Sequence, residues 1–349
     1  MDWQPESTRI FAVGILEWED SDFLEPFPDA VPNRYDEQIV NFFLEAGVPE
    51  EQVVFLKDSE ATLENIENSF NELLENSSED DLLIFYFSGH GGWDGEEEEH
   101  YFYNYDAQAD DVDTHWTVSS IFDKIEETFN GSYALLMADC CHSGGLIIEA
   151  KDRTDSEISY ACVSSAYTHN SSTGDWTFSE SLFKGLTGNP EVDLDNDGEI
   201  SLYDFSRYAE LEMAFIEEQK SMFVTTGDFD SQMVLARVEE EAEFESLRRM
   251  EVEWEGDWYK AKVYRDGEGS LWVYYIDDGS EEEEVDRDRI RAYEPEMFEV
   301  GDEIEALSED EWKPATVKKA WYGLHWVTYD DLSDDYDEWL GSEYVRERE

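Results

Sequence analysis

The sequence predicts two parts: an α/β domain on a mainly parallel sheet with helices on both faces, then two small all-β barrels. Three observations carry this. Short apolar runs alternate with segments of helical spacing up to about residue 238. Beyond Val238 the composition turns to dense aromatics, alternating strand patterns and turn pairs such as Asp266-Gly267 and Asp278-Gly279. That second part also holds a weak internal repeat, each copy with a Trp-led strand ending in Val and a closing Ile-Arg or Val-Arg. The expected boundaries are an α/β domain at 1–238, a charged linker at 239–248 and barrels at 249–295 and 296–349.

Taken in order, IFAVGIL (10–16) reads as a buried strand, and YDEQIVNFFLEAG (35–47) as a helix that stops at Gly47. VVFLKD (53–58) comes next as a strand. Thr62 can cap a helix to about Leu74, with Ile66, Phe70 and Leu73 inward. LLIFYF (82–87) is the strongest strand signal. A helix near 118–130, strands at 133–138 and 160–166, a helix near 202–219 and a last strand at MVLAR (233–237) complete the domain.

The chain of 349 residues carries 90 acidic against 23 basic side chains, a formal charge of −67. That excludes general nucleic-acid binding, which needs a basic surface. With 40% hydrophobic and 15% aromatic residues, the chain has the means to fold. Such a surface suits either a salt-rich cytoplasm or basic and calcium partners. Stability that is the same at about 0.1 M and at molar KCl would rule out the first. No apolar run spans a membrane. The N-terminus lacks a basic head and a small-residue cleavage site, and three Cys make no disulfide framework. We therefore expect a cytoplasmic protein with reduced thiols.

LLIFYFSGHGG puts His90 on a Gly-rich turn past one strand, and YALLMADCCHSGG puts Cys140 and Cys141 past the next. Such strand ends bring catalytic groups together in open parallel sheets. A histidine there can take a thiol proton, because the thiolate is the nucleophile. Nearby glycines let backbone N–H groups face an oxyanion.

These segments, Ser88-Gly89-His90-Gly91 and Asp139-Cys140-Cys141-His142-Ser143-Gly144, resemble the caspase-like cysteine peptidases, in particular the metacaspase and bacterial caspase-homologue branch. The resemblance covers about residues 7 to 238 and implies a caspase-like sheet. It makes Cys141 the nucleophile and His90 the base and acid, with Cys140 turned into the core. The N–H groups of Gly91 and Cys141 would form the oxyanion hole. An acidic pocket of Asp139, Ser88 and, more loosely, Asp36 would accept a substrate's Arg, in preference to Lys, at P1 (the residue before the cut bond). Caspase-type cleavage after Asp needs pocket arginines, and none of Arg9, Arg34, Arg153, Arg207 and Arg237 matches. The loop IIEAKDRTDSEIS is either a self-cleavage site at Lys151 or Arg153 or an ordinary surface loop.

DLDNDGEISLYD (193–204) has the EF-hand spacing, with Asp193, Asp195 and Asp197 at positions 1, 3 and 5, Gly198 at 6, Glu199 at 7 and Asp204 at 12. We expect Ca2+ there; the short arm of Asp204 would loosen the site. The C-terminal copies resemble Tudor or Agenet modules, small SH3-like barrels, over about residues 247 to 347. Such folds can cage a modified protein side chain by cation–π contacts. Trp258, Tyr259, Tyr275 and Asp277, or Trp312, Trp326, Tyr329 and Asp331, could line a cage, although barrels this small also need large side chains as core. The reading is thus a cysteine endopeptidase acting on protein or peptide substrates. Its rival is a catalytically silent adaptor that reads proteins through its barrels.

Overall fold

The computed structural model describes the chain except residues 1–2, 96–97, 110, 168–175, 218, 239–248, 255, 267–269, 277–281, 294, 296, 309–310, 322, 333–335 and 349. The expected linker, Asp277 and the turn at 278–279 therefore lie outside the described residues. The chain forms two compact units, Met1–Met213 with Gln219–Glu239, and Ala214–Glu218 with Glu240–Glu349.

The first unit begins β1 (Thr8–Gly14), α1 (Tyr35–Glu45), β2 (Val53–Lys57), α2 (Leu63–Glu75) and β3 (Leu82–Ser88). A small antiparallel sheet comes next: β4 (Gly91–Asp94), β5 (Glu99–Phe102) and β6 (Trp116–Thr117). The chain then runs α3 (Val118–Thr128), β7 (Tyr133–Asp139), α4 (Gly145–Asp152), β8 (Ser159–Ser164), α5 (Thr177–Leu186), β9 (Glu199–Ser201), α6 (Leu202–Ile216), β10 (Met222–Thr225) and β11 (Val234–Arg237).

The main sheet has the order β10-β8-β7-β3-β1-β2, all parallel except β10, which runs antiparallel to β8. Strand alternation divides its apolar residues between two cores. Phe11, Phe85, Leu136 and Cys162 face α2, α3 and α4, whereas Ile10, Tyr86, Met137 and Val163 face α1, α5 and α6. Thr62 and Thr117 cap α2 and α3 by accepting the backbone N–H three residues on, from Asn65 and Ser120.

Two expectations are corrected. Residues 234–237 form no strand of the main sheet; β11 pairs with β9. The edge is β10, whose four residues are too short to show a sequence period. The first part of the polar loop after Cys141, Ile147 to Asp152, is also helix, in α4. Its Leu146, Ile147 and Ala150 are buried at helical spacing, and this apolar face drives the helix.

The second unit contains two five-stranded sheets. The first is β12 (Arg249–Trp254), β13 (Asp257–Asp266), β14 (Ser270–Tyr275), β15 (Glu282–Asp286) and β16 (Ile290–Ala292). The second is β17 (Glu303–Ser308), β18 (Glu311–Trp321), β19 (Leu324–Tyr329), β20 (Glu338–Gly341) and β21 (Val345–Glu347). Their strand orders correspond, and so do their register shifts, between Val263 and Arg265 and between Val317 and Lys319. The sequence repeat is therefore a structural repeat, with one small core per barrel.

His325 is buried in the second barrel, and its Nε2 accepts the Phe298 N–H at 3.0 Å. An accepting Nε2 requires the neutral ring. Burial pushes the His325 pKa below its ordinary 6.5, partly opposed by the Leu340 carbonyl and Glu343. The unfolded chain thus binds the proton more readily, so this contribution to stability is complete above the ordinary histidine value and is lost as pH falls below it. Barrel unfolding, monitored by tryptophan fluorescence, should lose several degrees of midpoint between pH 7.5 and pH 5.5, and less in His325→Gln.

Candidate active site

Parallel register sets the site. Gly14 of β1 lies level with Ser88 of β3, and Ser88 with Asp139 of β7. The chain turns sharply beyond both strands. Gly89, at φ 151°, donates its N–H to the Asp139 carbonyl at 3.2 Å. Gly91 packs so tightly that a Cβ there would fall 1.9 Å from the Cys141 carbonyl oxygen. Only glycine fits, and the backbone beside His90 is thereby pressed onto that of Cys141. His142, next after Cys141, holds a left-handed φ of 56°, which is costly for a residue with a Cβ.

The His90 ring packs against both Trp18 and Phe27, each 4.5 Å from it by ring centroids, and these two rings also touch each other edge-on at 5.8 Å. Its Nε2 is 2.7 Å from the Glu25 carbonyl oxygen. A carbonyl only accepts, so Nε2 carries the proton and Nδ1 keeps the lone pair. Burial moves the His90 pKa below the ordinary histidine value, with the Glu25 carbonyl opposing. Cys140 is buried, as expected, and burial raises its thiol pKa well above normal; Cys141 is half-buried. Cys162 is buried and likewise raised.

The structure brings Asp36, Ser88 and Asp139 to the same end of the sheet. Asp36, at the start of α1, abuts Gly14, where a Cβ would fall 2.0 Å from its Oδ2. Asp139 Oδ2 accepts from Ser179 N at 3.2 Å and Ser179 Oγ at 2.5 Å, and Ser179 Oγ also bonds the Tyr86 phenol at 2.6 Å. Burial raises the Tyr86 pKa far above normal, and the charges of Asp139 and Asp36 raise it further. Ser88 is buried beside that phenol, and its Oγ has no hydrogen bond of good geometry among the described residues. Sequence reading missed Glu25, Trp18, Phe27, Tyr86 and Ser179. It also set Arg34 aside, yet the Arg34 guanidinium lies on Asp36 at 2.6 Å.

Of the other expected positions, Lys151 is in the last turn of α4, and Arg153 caps that helix. Arg153 is tied to Asp123, Glu126 and Glu149 and lies over the Phe122 ring, so neither residue stands in an open loop. In the acidic loop, carboxylate oxygens of Asp193, Asp195 and Asp197 all lie within 4.8 Å of one another. Asn196 and Gly198 take the left-handed φ values (58° and 86°) that fold the loop inward. Lost hydration, then the charges of Asp197 and Asp204, raise the Asp195 pKa. Asp204 accepts from Ser201 N and Oγ, a capping box that starts α6. Glu199 lies in β9 and its carboxylate accepts from Arg237.

In the barrels, Tyr329 is core rather than cage, at 2% exposure, because a barrel this size is filled by its large side chains. Its hydroxyl donates to Glu338, as Tyr275 donates to Glu283. Trp258 and Tyr259 are exposed, but Arg291 covers the Trp258 ring at 4.1 Å. Arg346 covers Trp312 in the same way at 4.2 Å. Glu251 and Glu305 hold these two arginines. Trp326 packs edge-on against Trp339 at 5.7 Å, and Asp331 is exposed.

A protein-family model described as Caspase domain matches residues 36–227, more than half of the chain, and one described as Agenet domain matches residues 240–295. No curated protein matches. Among solved structures, a Geobacter sulfurreducens protein is 14% identical, with 66% of this chain and all of that one covered and a TM-score of 0.47. Caspase-1 from Spodoptera frugiperda is 15% identical, covering 68% of this chain and 93% of that one, with a TM-score of 0.43. The Arabidopsis thaliana AGDP1 AGD34 structure is 26% identical over 29% of this chain and 79% of that one, with a TM-score of 0.14.

The three thiols should separate by reactivity, since the thiolate is the attacking form and two of the three are buried. Iodoacetamide should label native protein at Cys141 first, with Cys140 and Cys162 reacting only after denaturation. Peptide mass mapping reads the order.

Proposed function

The chain belongs to the caspase-domain family, and from that membership we propose a cysteine endopeptidase in which Cys141 is the nucleophile and His90 the general base and acid. The observation that supports it best is the pressing of Gly91 onto the Cys141 backbone beside an imidazole oriented by the Glu25 carbonyl. In this reading His90 Nδ1 takes the Cys141 proton, and Sγ attacks the scissile carbonyl carbon. The oxyanion is held by the N–H groups of Gly91 and Cys141. As the C–N bond breaks, His90 returns the proton to the leaving amine and an acyl-thioester remains. A water deprotonated by His90 then releases the acid and restores the thiol.

Ser88 and Asp139 form the floor that reads a basic P1 side chain, Arg before Lys, because a guanidinium pairs with a carboxylate in two parallel bonds. Asp193, Asp195 and Asp197, with Glu199 and Asp204 nearby, suit a hard cation, and bound Ca2+ would supply charge compensation that ties the loop to the start of α6. The barrels would recruit protein partners or substrates.

A fluorogenic peptide ending in Arg should be cleaved, and Cys141→Ala or His90→Ala should each lose at least ~10³-fold in kcat. The acid limb of kcat/KM should fall below the ordinary histidine value, because His90 must be neutral to act as base and its folded pKa is lowered. Absence of turnover, together with an unreactive Cys141, would leave only a binding protein. Ca2+ should raise the melting temperature of wild type and not of Asp193→Asn/Asp195→Asn.

A further inference from the structure

The surroundings of Arg34 bear on the proposed recognition of a basic P1 side chain by Ser88 and Asp139, and the role inferred for Arg34 rests on that reading. Asp36 is fully buried. Its Oδ1 accepts from Glu37 N at 2.8 Å and Arg34 Nε at 3.1 Å, and its Oδ2 from Arg34 Nε at 3.1 Å and Nη2 at 2.6 Å. A carboxylate offers about four lone-pair sites, so Asp36 has little left to give a ligand. The guanidinium is also fixed on its other sides. Nη1 donates to Asp58 Oδ2 at 2.5 Å and Nη2 to the Gly14 carbonyl at 3.0 Å, and the side chain is 8% exposed. One strand along, Ser88 Oγ is buried and lacks a well-formed hydrogen bond among the described residues. The polar groups at this end of the sheet thus differ sharply: Asp36 is saturated from within the chain, whereas Ser88 is not.

We propose that Arg34 is a specificity-determining residue: a resident guanidinium that withdraws Asp36 from substrate and leaves the P1 cation to Ser88 and Asp139. The pocket then clamps a basic side chain with one carboxylate where two lie at the same end of the sheet. Removing Arg34 leaves Asp36 buried and unpaired, an arrangement that is costly until a cation arrives. A substrate guanidinium or ammonium relieves that cost on binding, so affinity for basic P1 should rise when Arg34 is lost.

Steady-state kinetics on peptides ending in Arg, Lys and Asp test this, with folding checked by circular dichroism. Arg34→Gln should lower KM for Arg and Lys peptides about tenfold, with a smaller change in kcat. Arg34→Gln/Asp36→Asn should erase that gain. Arg34→Lys keeps the charge but not the fork, and should fall between wild type and Arg34→Gln; it carries the test if the Gln variant does not fold. An unchanged or higher KM for basic peptides in folded Arg34→Gln overturns the proposal. So does cleavage of the Asp peptide by wild type that is lost in Arg34→Gln, which would make Arg34 a reader of anionic side chains. Asp139→Asn checks the underlying premise separately: unimpaired Arg cleavage there would overturn basic-P1 recognition itself.

Discussion

Parallel pairing of β1, β3 and β7 sets Gly14, Ser88 and Asp139 in one row, and the site takes its geometry from that row. A slip of one residue in any of the three strands would reverse every side chain beyond it. The row is held by two packed cores, since alternate residues of each strand are buried on opposite faces. The glycines answer to the same constraint. At Gly14 there is no room because Asp36 has been drawn against the strand, and at Gly91 none because two turns meet. The sheet thereby fixes which residues can face one another before any site chemistry is considered.

Charge is distributed by the same economy of space. In a chain of −67, two buried carboxylates are each held by an arginine: Asp81 by Arg9, and Asp36 by Arg34, which also reaches the half-buried Asp58. An ion pair at this depth is hard to break on one side, because the remaining charge has no water to turn to. Exposed pairs such as Lys124 with Glu127 contribute little by comparison. Exposed acidic side chains such as Glu45 and Glu60 are hydrated and bear on solubility rather than fold.

Much of this was legible in the sequence where a period or a spacing carried it. The apolar runs announced five of the six main strands, and the resemblance carried by Cys141-His142-Ser143-Gly144 set Cys141 apart from Cys140. Glu25 was illegible because its contribution is a backbone carbonyl, for which any residue would serve. Arg34 was discounted because its role depends on a fold that brings α1 against β1, which no local pattern records. Strand β10 was too short to read. Helix α4 was obscured by the acids and bases on its outer side, which looked like loop. Tyr329 shows the converse limit: an aromatic composition suits a binding face and a core equally, and only burial tells them apart.

The two barrels repeat one small device, a glutamate holding an arginine over a tryptophan, through Glu251, Arg291 and Trp258 and again through Glu305, Arg346 and Trp312. Each indole face already has a cation tenant. A visiting cation seeking either ring must first evict that tenant, and the glutamate would keep the displaced guanidinium close by. Selectivity at these faces is then a contest between two cations for one ring, decided by the difference between them and not by the strength of either alone.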